Sequence, residues 1–229
     1  MNMSAGDAVA ATGSPKNRPN SPWMAGLWGQ NPALVQLLGL CPLLAVSTTL
    51  VSGAVLGLAT LACLTVSCLA VASIKHWIPS DVRLPAFVIV IATTVTLVDL
   101  TLMTFAFELH RTIGLFIPLI VTNCAVLARI EASAYRQPIA AAITDGVAMG
   151  LGFGFALVAL GTMRELAGHA TLFSDLHLLT GSAPVVWFAP WYSDDGARLL
   201  LALLPPGAFF GLALLIVLAR LVGAGTAQK

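Results

Sequence analysis

The sequence predicts an all-α membrane protein of six transmembrane helices, arranged as a three-plus-three inverted repeat in which helices 1 and 4 are broken. Three observations carry this reading. Only 9% of the 229 residues are charged, against about 25% in an average soluble domain, and the mean hydropathy is +0.92. The charges that exist are separated by long uncharged runs. Two of those runs share a Gly-Leu and Pro-Leu pattern beside a cysteine.

With 11 basic and 10 acidic side chains, the chain cannot cover a globular surface with ionic groups. A water-soluble enzyme, a nucleic-acid binder and a disordered chain are therefore excluded. The net charge of +1 says nothing about partners; the positions of the charges say more.

Taken in order, residues 1–20 are polar and contain Pro and Asn, which predicts a disordered tail. The apolar stretch behind them is too long for the core of a cleavable signal peptide. Residues 21–32, with Trp23, Leu27 and Trp28, read as an interfacial segment anchored by aromatics at the membrane surface. No charged residue lies between Arg18 and Lys75, a run of 56 positions, and a spanning helix needs about 20 apolar residues. That run holds two spans, near 33–54 and 56–74. Further uncharged runs at 84–98, 112–128, 146–163 and 199–219 give spans near 85–106, 112–129, 143–163 and 199–220. Residues 33–220 form one six-helix membrane domain, with a long apolar loop at about 165–198 and a short tail over 221–229.

Orientation follows from the basic residues. With the N-terminus inside, Lys16, Arg18, Lys75, Arg83, Arg129, Arg136, Arg220 and Lys229 are cytoplasmic, and only Arg111, Arg164 and Arg198 lie outside. This positive-inside bias predicts a multi-pass membrane protein with both termini cytoplasmic and the 165–198 loop outside.

Span 1 contains GLCPLLAVS, starting at Gly39, and span 4 contains GLFIPLIVTNCAV, starting at Gly114. Three spans separate the two segments, so equivalent helices point in opposite directions, the mark of an inverted repeat. Pro42 and Pro118 each remove a helix hydrogen bond. Backbone freed in this way inside a membrane must be buried in protein or line a site; an ordinary proline kink is the simpler alternative. Counting 1.5 Å per residue from Ala33 and from Thr112, Cys41 lies about 12 Å deep and Cys124 about 18 Å deep, both near the midplane. Cys63 and Cys68 read as packing residues.

A disulfide does not suit a reducing, membrane-embedded setting. Zinc or an iron–sulfur cluster takes four ligands, and no histidine lies inside a predicted span. Two thiolates are half a site, to be completed by Cys63 and Cys68 or by a second chain. Inert packing thiols remain the alternative. Asp99 is the only acid deep within a span, which marks it for an ion path or a subunit interface, unless Thr96 or Thr101 simply binds it in packing. Asp145 and Glu131 lie close to Arg129 and Arg136 at the cytoplasmic ends of their spans, where surface ion pairs are expected. Gly146, Gly150 and Gly154 form a small-xxx-small face for close helix packing.

The segments NPALVQLLGLCPLLAVS, GLFIPLIVTNCAVLARIEA, MRELAGHATLF and LPPGAFFGLAL resemble the RnfE/NqrD family: the RnfE subunits of Rnf ion-translocating oxidoreductases and, less closely, the NqrD subunits of the sodium-pumping NADH:quinone oxidoreductase. The resemblance covers roughly residues 29–220, and Pro205-Pro206-Gly207-Ala208 favours the RnfE branch. It implies a [2Fe–2S] cluster buried between this chain and the homologous RnfA, of opposite topology, with Cys41 and Cys124 as this chain's two ligands. It implies further partners in the Rnf subunits B, C, D and G, and a role in electron transfer between NADH and ferredoxin or flavodoxin coupled to Na⁺ or H⁺ movement. The chain lacks a dinucleotide fingerprint, a ferredoxin-type cysteine run and a flavin-attachment motif, so its part in such a complex is to carry electrons through the membrane core. At an effective dielectric of about 20 and a separation of about 8 Å, an added electron attracts a cation by about 2 kcal/mol, which gives a basis for coupling. The competing classes are a secondary transporter with a midplane substrate site and inert cysteines, and a purely structural membrane subunit.

Overall fold

The structure, a computed structural model, describes residues 31–79, 82–105, 107–169 and 204–226. The predicted N-terminal tail, most of the interfacial segment with Trp23 and Trp28, most of the 165–198 loop, and the end of the C-terminal tail lie outside them. All regular structure among the described residues is helical. We number the α-helices α1 (Leu40–Val46), α2 (Leu50–Ile74), α3 (Arg83–Phe105), α4 (Phe107–Ile113), α5 (Cys124–Arg129), α6 (Ile139–His169) and α7 (Pro205–Thr226). Single 3₁₀ turns cover Lys75–Trp77 and Ile117–Ile120, and a π turn runs on from α5 over Ile130–Ala134.

Among the described residues, four stretches are long and apolar enough to cross a membrane: Leu50–Ile74, Arg83–Phe105, Ile117–Ala134 and Ile139–Gly168. Pro205–Leu221 is a shorter apolar helix, opened by two prolines whose missing N–H groups cost nothing in a first turn. The third stretch is a composite of 3₁₀, α and π turns, as the prediction of a broken fourth helix requires.

The first span, 33–54, is broken as expected, but at Gly39 and at Ser47–Thr49, with Pro42 inside the first turn of α1. Asn31 Oδ1 accepts from the N–H groups of Ala33 (3.0 Å) and Leu34 (3.2 Å), and its Nδ2 donates to Gly152 O on α6 at 2.9 Å. That cap starts a turn which ends in two left-handed residues, Leu37 at φ 54° and Gly39 at φ 74°. Only then does α1 begin, and it lasts seven residues. A second break follows at Ser47–Thr49, where the extended Thr49 caps α2 through its hydroxyl. The depth reckoned along a continuous helix from Ala33 therefore does not hold. Glycine and a capping threonine decide these breaks, and hydropathy is blind to both.

The centre of the fold is the antiparallel pair α2 and α6. Gly53 lies against Leu157, Gly57 against Gly154, Leu61 against Gly150 and Cys68 against Gly146, so the residue numbers rise along one helix as they fall along the other. A Cβ on Gly57 would stand 2.9 Å from Gly154 Cα, a distance that only glycine permits. In a membrane, such close approach supplies the packing that a hydrophobic effect between helices cannot. The expected glycine face of α6 thus meets α2, with Cys68 in the seam against Gly146 and Cys63 buried further round α2 beside Ser67. α3 packs on α2, and α7 packs on α6, where Gly211 receives Met163 and Leu160. The outer face of α3 leaves Leu84, Val88, Ile89, Leu97 and Leu100 exposed.

Several threonine hydroxyls within the helices bond back to carbonyls four residues earlier, as Thr60 does to Leu56 and Thr94 to Val90. Each is thereby satisfied without water.

Candidate functional site

The two cysteine segments, more than eighty residues apart in the chain, meet. Gly39 N–H donates to Cys124 Sγ at 3.1 Å, and Cys41 lies two residues further on, in the first turn of α1. The left-handed conformation of Gly39 makes this contact possible. A Cβ there would stand 2.8 Å from Asn123 Oδ1 and 2.8 Å from Phe153 Cε2, so the turn has no room for a side chain. On the other side, Gly114 opens the break. A Cβ on it would strike His110 O at 2.6 Å. The chain then passes through the 3₁₀ turn containing Pro118 and reaches Asn123, whose Oδ1 caps α5 by accepting from Ala125 N–H at 3.0 Å. Each cysteine begins a short helix directly after a break.

Exposure separates the four thiols into two classes. Cys41 and Cys124 are exposed, whereas Cys63 and Cys68 are each 0% exposed. The exposed pair faces outward from this chain, beside Asn123, which is 2% exposed. Asn123 Nδ2 is buried with no hydrogen-bond partner among the described residues. No three His, Cys, Asp or Glu side chains gather into a metal-binding group among the described residues. Completion of a four-ligand site by Cys63 and Cys68, one of the two routes open to the sequence, does not fit two thiols that are fully buried while Cys41 and Cys124 are exposed.

Asp99 finds a partner that the sequence did not point to. Thr96 and Thr101 bond their own helix, to Ala92 O and Leu97 O. His110 Nε2 instead meets Asp99 Oδ1 at 2.8 Å, with side-chain exposures of 23% and 37%. On a straight helix residues 99 and 110 would be about 16 Å apart, so the chain must turn back after Phe105 to bring α4 against α3. The signal available in the sequence was the need of any intramembrane acid for a partner.

The charge pairs at the other end differ from expectation in one respect. Arg129 binds both carboxylate oxygens of Asp145 through Nε and Nη2. Glu131 pairs with Arg83 at 2.7 Å, across the loop, and with neither Arg129 nor Arg136. The Arg83 guanidinium also lies 5.9 Å from the Tyr135 ring centroid. The Arg129–Asp145 pair is largely shielded, at 20% and 15% side-chain exposure, so it is more than the surface contact expected.

The family model described as "Rnf-Nqr subunit, membrane protein" matches residues 21–216. The chain belongs to the Rnf-Nqr family. Among similar proteins, the E component of the ion-translocating oxidoreductase complex of Thioalkalivibrio sulfidiphilus is 51% identical over 199 residues, covering 87% of each chain. Its counterparts in Pseudoalteromonas atlantica and Vibrio parahaemolyticus are 50% and 48% identical, covering 83% and 86% of this chain and 82% and 85% of theirs. The family's stretch takes in both cysteine segments, Asp99 and His110, and the α2–α6 pair of this Rnf-Nqr subunit.

Proposed function

We propose that this chain is the E-type membrane subunit of an ion-translocating NADH:ferredoxin or flavodoxin oxidoreductase, and that Cys41 and Cys124 supply half the ligands of a [2Fe–2S] cluster shared with a homologous RnfA-type subunit. One observation carries the reading. Of four cysteines, the two that follow helix breaks are exposed and lie in segments joined by the Gly39–Cys124 contact, while the other two are fully buried within α2. Two outward thiols suit a cluster completed by two thiolates from a partner.

The donor set fits in other respects. Gly39 N–H already bonds Cys124 Sγ, and the unpartnered Asn123 amide lies one residue away; hydrogen bonds to ligand sulfurs tune cluster potential. When bound, the group supplies a one-electron redox centre. Cys41 and Cys124 would hold it, and the buried Ile117, Ile120 and Val126 of the broken segment would exclude water from behind it. Asp99 with His110 offers a carboxylate and an imidazole for a cation or proton on the path through the complex. The chain is a non-autonomous subunit, with Rnf subunits B, C, D and G as further partners. It resides in the bacterial inner membrane with both termini cytoplasmic.

Iron analysis and electron-spin-resonance of the purified complex test the proposal. Cys41→Ser and Cys124→Ser should each lose the [2Fe–2S] signal, because a hydroxyl binds iron less well than the softer thiolate. Cys63→Ala and Cys68→Ala should keep it. A signal that survives either serine change, or a wild-type complex without this iron, overturns the reading and favours a transporter or scaffold with inert cysteines.

A further inference from the structure

Two charges near the end of α6 have no part in the site described above. Arg164 is 3% exposed and Glu165 is 0% exposed. Burial of a charge is costly unless partners compensate it, and here the partners are informative. Arg164 Nη1 donates to Leu44 O at 3.3 Å and to Ser47 Oγ at 3.0 Å. Glu165 Oε2 accepts from Leu50 N–H at 2.8 Å. The two residues therefore act on opposite sides of the break between α1 and α2.

The chemistry matches each side. α1 leaves carbonyls unpaired at its C-terminal end. Ser47 Oγ takes Leu43 O at 2.5 Å, Thr48 N–H takes Val46 O at 2.8 Å, and Arg164 takes Leu44 O. Leu50 begins α2, whose first N–H groups lack helical acceptors, and Glu165 accepts one of them. The cation meets a helix C-terminus and the anion a helix N-terminus, the favourable sense for both dipoles. Gly161, one turn earlier on α6, lets the break lie directly against the helix: a Cβ there would be 2.8 Å from Thr49 O. Leu44 is one turn from Cys41, so α1 is a strut of about 10 Å with Arg164 at one end and the Cys124 contact at the other.

We propose that Arg164 and Glu165 are positioning residues for the Cys41 helix, clamping both sides of the α1–α2 break so that Cys41 keeps its orientation beside Cys124. The proposal rests on the ligand role of Cys41, and the test separates the two. The assembled complex is treated with a chelator to remove iron. Alkylation by N-ethylmaleimide is then followed cysteine by cysteine, by mass spectrometry. Cys63 and Cys68 report global unfolding, because both are 0% exposed and Cys68 lies against Gly146 in the α2–α6 seam. Arg164→Gln should change the Cys41 to Cys124 rate ratio by at least about tenfold, the effect of losing one or both of its charge-assisted bonds to Leu44 O and Ser47 Oγ, while Cys63 and Cys68 stay protected. Arg164→Lys should restore most of the ratio. Glu165→Gln should change it less, because the amide oxygen can still accept from Leu50 N–H.

A ratio unchanged in Arg164→Gln, with the seam intact, overturns the proposal. Should Arg164→Gln open the seam, the milder Ser47→Ala decides: about a threefold change is expected from losing one of the two acceptors, and no change refutes the clamp. If iron removal leaves the reactivity of wild-type Cys41 unaltered, the ligand reading fails, whereas the variant ratios still report whether the clamp orients Cys41.

Discussion

Replacing Gly39 by alanine tests the geometry that joins the two cysteine segments. Gly39 sits at φ 74°, and a left-handed conformation costs an L-residue about 1–2 kcal/mol. The added methyl would stand 2.8 Å from Asn123 Oδ1 and from Phe153 Cε2. Neither neighbour can yield freely: Asn123 caps α5, and Phe153 is 2% exposed in the core. Overpacking of this kind adds about 1–3 kcal/mol, so Gly39→Ala should destabilise the membrane domain by about 2–5 kcal/mol. Thermal unfolding of the purified complex, followed by reaction of a thiol dye with Cys63 and Cys68, measures this. The opening constant should rise by between about thirtyfold and several thousandfold. Gly146→Ala is the control, because its Cβ would come no nearer than 3.3 Å to Cys68 Sγ, 3.5 Å to Cys68 Cβ and 3.7 Å to Leu64 O, and alanine is better by about 0.5–1 kcal/mol within a helix. If Gly39→Ala is no more destabilised than Gly146→Ala, the argument from left-handed backbone and steric closure is wrong.

The remaining predictions concern the charges. Asp145→Asn, which leaves Arg129 shielded and unmatched, should destabilise by about 3 kcal/mol. Glu131→Gln, at a pair about one-third exposed on each side, should cost less than about 1 kcal/mol; equal losses in the same thiol-dye assay would contradict the difference in burial. Asp99→Asn should preserve assembly and iron content but lower ion transport per electron in reconstituted vesicles, and full transport at full electron flux would return Asp99 to a packing role. Reporter fusions after Arg136 and after Lys229 should read as cytoplasmic and one within residues 175–195 as periplasmic; a cytoplasmic signal from the last would reverse the orientation drawn from the basic residues.

What the sequence determines by itself is the solvent of the fold and the neighbourhood of its breaks. Hydropathy and charge spacing reach α2, α3, α6 and α7 because burying about 20 apolar residues in hydrocarbon outweighs any local preference. Gly39, Pro42, Gly114 and Pro118 mark the broken segments because their backbone chemistry is local. The glycine face of α6 is legible for the same reason: absence of a side chain has one main use between helices in a membrane.

Partners and boundaries are decided by contacts across the chain. Hydropathy carries 33–54 as one continuous span, yet the Asn31 turn, the left-handed Gly39 and the Thr49 cap divide it, and each depends on a hydrogen bond or a steric limit that an average over residues cannot register. His110 reaches Asp99 only because α4 folds back on α3. Arg164 and Glu165 read as the polar end of a span, but the tertiary structure buries them against a break more than a hundred residues away in the chain. The same holds for the thiols. The sequence pattern already sets Cys41 and Cys124 apart from Cys63 and Cys68, but only the packed helices bury the second pair, leave the first pair exposed and bring Gly39 onto Cys124 Sγ. A side chain's composition fixes what it can bind, whereas its partner is set by which distant backbone the packed helices bring within 3 Å.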